Sequence, residues 1–124
     1  KSLNIQKSVF SLSGDDKELN KIYSKASLLV YPTLYEGFGL PPLEAMRSGC
    51  PVVSSNINPL KEIYGNSSIF FNPSKVLDIK KKIEKVLKSK SLQKKLIKKG
   101  FEKSHKLLWS KCTNETLKVY NSII

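Results

Sequence analysis

The chain has 124 residues, 40% of them hydrophobic, and a formal net charge of +12. That length suits a single domain, that hydrophobic share excludes a disordered chain, and the apolar runs are too short to cross a bilayer. The charge is uneven: residues 1–74 carry seven Lys/Arg against six Asp/Glu, and residues 75–124 carry fifteen lysines against four acids. Arg47 is the only arginine. Readers of nucleic acid rely on arginine for base edges and forked phosphate contacts, so the lysine tail argues against a nucleic-acid partner. It fits either a solvated helix face or attraction to an anionic membrane surface.

The two cysteines, Cys50 and Cys112, lie far apart without CxxC spacing, and His105 is the only histidine. Two buried thiols in a reducing compartment are expected, and no bound metal. The opening "KSLNIQKSVF" has no initiator Met and no apolar signal region, so the sequence reads as a piece of a longer protein.

In chain order, Val9–Leu12 predicts a short strand, broken by "SGDD". Asp15 and Glu18 have capping-box spacing ahead of an amphipathic helix over Lys17–Ala26. Leu28–Tyr31 is a continuous apolar run ended by Pro32, which predicts a buried parallel strand. After the loop Thr33–Gly39, Pro41 and Pro42 open a helix that runs to Ser48 and stops at Gly49. Val52–Ser55 predicts a third strand, Asn58-Pro59 caps a short helix to Tyr64, and Ile69–Phe71 predicts a fourth strand. Three helices follow, marked by Val76 to Leu87, by Leu92 to Phe101 and by Thr113 to Ile124. The result is an α/β chain: a strand-and-helix core over residues 9–73 and a helical segment over 75–124, with a parallel sheet covered on both faces.

The chemistry concentrates in Tyr35–Ala45, "YEGFGLPPLEA". It lies between a strand end and a helix start, on the carboxyl edge where open α/β sheets bind ligands. The N–H groups from Gly37 to Leu40 precede a helix N-terminus and suit an anion, and glycines let a ligand approach the backbone. Glu44, in the first helical turn, suits ribose hydroxyls, while Glu36 points at another part of the ligand. Together they describe a nucleotide-sugar site. The same residues also suit an ordinary Gly-x-Gly turn with an acid favoured by the helix dipole.

"EGFGLPPLEAMRSGCPVVSSN" closely resembles the signature of retaining GT-B glycosyltransferases of family 4, E-G-F-G-L-P-x-x-E-A-M-x-x-G-x-P-V-V. The flanking "VFSLSGDDKELNKIYSKASLLVYPTLY" and "LKEIYGNSSIFFNPSK" look like the family's neighbouring segments, and the tail, with Leu108-Trp109-Ser110 and Val119-Tyr120, is similar to its closing helix. The resemblance implies a Rossmann-like fold: 1–124 as part of the C-terminal nucleotide-sugar-binding domain, with the N-terminal acceptor domain missing. It implies that Glu36 contacts the donor sugar and is the catalytic candidate. The amides of Gly37, Phe38, Gly39 and Leu40 would meet sugar or diphosphate, and Glu44 would hold the ribose. It implies retention of configuration, no bound metal or other cofactor, and a UDP-, GDP- or ADP-sugar donor; together with the Lys/Asn/Ile-rich composition of an AT-rich bacterial genome, it makes the expected donor a UDP-hexose or UDP-N-acetylhexosamine. The work would be surface polysaccharide synthesis (O-antigen or capsule), in the cytoplasm or peripherally on the inner membrane, with a saccharide or lipid-linked acceptor.

A glycosidase is the chemical rival, but a hydrolase needs no anion cradle. The family's Arg/Lys pair at the diphosphate would lie upstream of Lys1, and Lys7 and Lys17 are not obvious substitutes, so the isolated chain is expected to be inactive. The non-enzymatic alternative is a nucleotide- or nucleic-acid-binding module with a basic tail. Asn56 and Asn58 are read either as ligand contacts or as turn and cap residues, Trp109 as a packing anchor, and His105 as a surface residue.

Overall fold

The structure, a computed structural model, describes residues 4–124; the expected domain bounds begin earlier, and residues 1–3 lie outside the described residues. Three strands form one parallel sheet in the order β1-β2-β3: β1 Leu29–Tyr31, β2 Val52–Ser55 and β3 Ile69–Phe71. Six α-helices surround it: α1 Asp16–Lys25, α2 Leu40–Arg47, α3 Asn58–Tyr64, α4 Val76–Leu87, α5 Lys90–Lys106 and α6 Trp109–Ile123.

The expected strand Val9–Leu12 does not form. Val9, Phe10 and Leu12 are exposed, and among the described residues no strand pairs with them. A short apolar run becomes a strand only when a neighbour takes its ladder hydrogen bonds. The alternating apolar pattern is present in the sequence, but its partner is not among these strands.

Register sorts the side chains cleanly. Leu29 lies beside Val52, and Val53 lies between Val30 and Ile69, so successive residues face opposite ways. One face carries Leu29, Tyr31, Val52 and Phe70 against α1, α2 and α3. The other carries Val30, Val53, Ile69 and Phe71 against Ile79, Ile83 and Val86 of α4 and Leu92 and Leu96 of α5. Both crossover helices, α2 and α3, share a face, as expected when strand order advances in one direction. Two clusters thus flank the sheet, one on each of its covered faces.

Local chemistry explains the helix ends. Asp15 and Glu18 form the expected reciprocal capping box: Asp15 Oδ1 accepts from Glu18 N at 2.9 Å, and Glu18 Oε2 from Asp15 N at 3.3 Å. Helix α2 ends at Ser48 with Gly49 following at φ 76°. Asn58 is the first residue of α3 rather than its cap; the cap is Ile57, without a side-chain bond.

The long helix α5 joins the two cores. Leu96 packs on the α4 face, yet Gly100 packs so closely on α2 that a Cβ there would lie 3.0 Å from Met46 Cγ. Ser67, just before β3, donates to Lys99 O at 3.2 Å, so α5 passes beneath the amino ends of the strands. Leu107 then joins the core of the other face. Arg47 Nη2 donates to Leu107 O at 2.9 Å and to Ser104 O at 3.5 Å, closing the end of α5 where free carbonyls need donors.

Helix α6 has no buried residue, and Trp109 is 73% exposed. The expected packing anchor is therefore not one: nothing among the described residues covers the outer side of α6. Cys112, on the same helix, is exposed, correcting the expectation of two buried thiols; Cys50 is buried. His105 is exposed, as expected. Twelve of the fifteen lysines after residue 74 are exposed, and the others are half-buried, as a solvated face requires.

Replacing Phe71, only 1% exposed at the centre of the α4–α5 face, by Ala should lower unfolding free energy by about 3–5 kcal/mol. Urea unfolding followed by circular dichroism reads this loss.

Candidate functional site

The segment 32–39 links the carboxyl end of β1 to the amino end of α2. Thr33 Oγ1 donates to Tyr35 O at 2.9 Å and tightens its first turn. Gly39 caps α2 in the left-handed region at φ 80°, ψ 63°. A Cβ on Gly39 would lie 2.7 Å from Leu60 Cδ2, so both the angle and the space call for glycine. Leu60 and Tyr64 of α3 are fully buried beneath this point, and the Tyr64 hydroxyl donates to Gly39 O at 2.5 Å. Burial pushes the Tyr64 phenol well above its ordinary pKa.

Glu36 is half-buried and held at both oxygens. Oε2 accepts from the Tyr31 hydroxyl at 2.5 Å, and Oε1 accepts from Gly37 N at 3.2 Å. The Tyr31 bond, with the amides of Gly37, Phe38 and Gly39, holds the carboxyl below its usual range. The same bond pushes the Tyr31 phenol up to about 12. Gly37 N is thus bonded to Glu36 in this structure, and the amides of Phe38 and Gly39 favour its charged form from nearby. Leu40 N stands one residue further on, at the first position of α2, and the prolines after it carry no N–H. A group that both donates and accepts, such as a sugar hydroxyl, fits between a carboxylate and amides. An anion fits better at the helix start itself.

Glu44 is half-buried and, as the fifth residue of α2, lies beyond the first turn where it was expected, because the helix already starts at Leu40. With Leu40, Leu43 and Arg47 at helical spacing, it lines a groove of about 590 Å³ whose other wall is Leu108, Trp109, Cys112 and Thr116. Phe38 stands at the same groove, 38% exposed. The structure therefore places all the predicted site residues around the start of α2, with Glu36 and Glu44 in separate surroundings. Asn56 and Asn58 are exposed just beyond the carboxyl end of β2. Among the described residues, no group of three or more His, Cys, Asp and Glu comes together in a way that could hold a metal ion.

The sequence reading missed Tyr31, Tyr64 and Leu60. Tyr31 read as part of an apolar strand and Tyr64 as the end of a short helix. A tyrosine in such a run has an apolar ring and a polar tip, and that was the available signal.

The chain belongs to the glycosyl transferases group 1 family, whose pattern matches residues 1–103. It is 36% identical over 88% of its length to the serotype-specific mannosyltransferase WbdA of Escherichia coli, covering 13% of that protein. It is 37% identical over 85% of its length to the O-antigen chain mannosyltransferase B of Escherichia coli, covering 28% of it. The chain thus spans less than a third of these relatives. A sucrose-phosphate synthase from Thermosynechococcus elongatus matches the structure with a TM-score of 0.85 and 25% identity, over 97% of this chain and 31% of that one. The fold is accordingly that of a GT-B glycosyltransferase.

Two outcomes check the site. Gly39→Ala should lower stability by about 1–2 kcal/mol from the left-handed angle alone, with a further loss from the Leu60 contact, read by urea unfolding. The Tyr31–Glu36 bond should also make stability depend on pH at both extremes. The phenol's folded value, about 12, lies above its ordinary 10, so its stabilisation is present below pH 10 and fades as pH rises through 12. The carboxyl lies below its ordinary 4.5, so its stabilisation is present above that value and fades as pH falls through the lowered one. Comparing wild type with Tyr31→Phe by absorbance titration should remove one phenol, with a midpoint near 12.

Proposed function

We propose that the full-length protein transfers a hexosyl group, with retention, from a nucleotide sugar to a saccharide or lipid-linked acceptor in synthesis of a bacterial surface polysaccharide such as O-antigen or capsule. One observation carries the reading: Glu36, fixed at both oxygens beside the amides of Gly37–Gly39, stands next to the free start of α2 on the carboxyl edge of the sheet. Sugar hydroxyls bind Glu36 and the neighbouring amides of Gly37, Phe38 and Gly39. The diphosphate lies toward Leu40 N, and the ribose hydroxyls reach Glu44 at the wall of the groove. Charge developing on the departing diphosphate is stabilised by the start of α2 and by cations from elsewhere in the protein. Glu36 and Glu44 serve different parts of the donor and do not form a hydrolase's carboxylate pair.

The acceptor is bound by an N-terminal domain of the same chain, outside these residues. The relatives' names add mannose to the expected UDP-hexose and UDP-N-acetylhexosamine as the transferred sugar. We place the reaction in the cytoplasm, at the inner membrane face when the acceptor is lipid-linked; unpaired Cys50 and Cys112 suit a reducing compartment. Among the described residues, no helix is long and apolar enough to cross a membrane. The nucleic-acid alternative loses ground because Arg47, the only arginine, is engaged at the end of α5.

The test is a panel of UDP-hexoses, UDP-N-acetylhexosamines and nucleotide-linked mannose offered to the full-length protein. One donor should turn over, unaffected by a chelator, while Glu44→Ala weakens its binding at least tenfold. The isolated 124 residues should show no transfer. No turnover from any donor by the full-length protein, or an unchanged Glu44→Ala, refutes the reading.

A further inference from the structure

The signature E-G-F-G-L begins at Glu36, five residues after Tyr31, yet the Tyr31 hydroxyl lies 2.5 Å from Glu36 Oε2. Tyr31 is the last residue of β1. Its ring packs against the core that holds Tyr23, Leu43 and Leu60, and its carbonyl accepts from Ser55 Oγ at 3.3 Å. The hydroxyl is thus delivered from a fixed strand to a carboxylate carried on a loop. Without it, Glu36 would keep only the bond from Gly37 N at 3.2 Å, a contact to its own neighbour that leaves the side chain free to turn. With it, each carboxylate oxygen has one protein donor and keeps acceptor capacity for a ligand.

We propose that Tyr31 is a positioning residue for the donor sugar, fixing the Glu36 carboxylate so that its remaining lone pairs meet the sugar hydroxyls. The proposal rests on the reading of Glu36 as the sugar contact. It assigns no role to Tyr31 at the diphosphate or the nucleoside. Phenylalanine keeps the ring and its packing and removes only the oxygen, so the variant isolates the bond to Glu36. The effect of that loss must also pass through Glu36 and through no other group.

The experiment compares Tyr31→Phe, Glu36→Ala and the double variant in the full-length protein. It measures kcat/KM for the nucleotide sugar and Kd for the corresponding nucleoside diphosphate, which lacks the sugar. Tyr31→Phe should lower kcat/KM about tenfold or more, as expected for a lost charge-assisted hydrogen bond. It should leave the Kd of the nucleoside diphosphate unchanged. The double variant should be no worse than Glu36→Ala alone, because removing the carboxylate leaves the hydroxyl nothing to orient. A Tyr31→Phe protein within twofold of wild type, beside a crippled Glu36→Ala, overturns the role of Tyr31 and leaves the reading of Glu36 standing. So does additivity of the two losses, or weaker nucleoside diphosphate binding in Tyr31→Phe. A Glu36→Ala protein as active as wild type overturns the reading of Glu36, and this proposal with it.

Discussion

The start of α2 is referred to the backbone at Gly39. There the chain turns through a left-handed angle, rests on Leu60, and gives its carbonyl to the Tyr64 hydroxyl. Those contacts come from Leu60 and Tyr64 of α3, neither of them a predicted ligand contact. They set where α2 begins, and with it the direction of the one amide left before the prolines. Glu36 is set independently, from β1 through Tyr31. Two tyrosines from two elements thus bracket the motif at its acid and at its helix cap. A loop fastened only by its own turns would hold neither group to the fraction of an ångström that recognition needs.

Much of this was legible in the sequence because the strongest signals are local. The capping box, the apolar run before Pro32, the prolines opening α2 and the glycine closing it depend on neighbours within a few residues, and the structure has all of them. Val9–Leu12 failed for the opposite reason. Its pattern is local, but a strand is made by a partner distant in sequence. Trp109 failed in the same way, since burial depends on what covers a helix and periodicity says only which side awaits cover. Cys112 shares that helix and that outcome.

At the site, the motif gathers its residues around the start of α2, but its spacing does not reveal their internal wiring. The amides of Gly37–Leu40 read as a cradle for a ligand's anion; in the structure Gly37 N bonds the carboxylate of the neighbouring Glu36. Spacing cannot reveal this, because it depends on the rotamer of one glutamate and the reach of a tyrosine from the preceding strand. The distinction changes the chemistry. A carboxylate bonded within the loop makes the loop itself less attractive to a second negative charge.

The passage of α5 beneath the strands has a consequence for how the protein opens. The two cores lie on opposite faces of a three-stranded sheet and, bounded separately, could melt separately. Gly100 against Met46, Ser67 on Lys99 and Arg47 on the end of α5 join them through one continuous helix. Lifting α5 exposes Leu96 on one face and Leu107 on the other together. The backbone amides of β2, which lies between the faces, should therefore exchange with solvent as a single cooperative unit, while those of the uncovered α6 exchange far sooner.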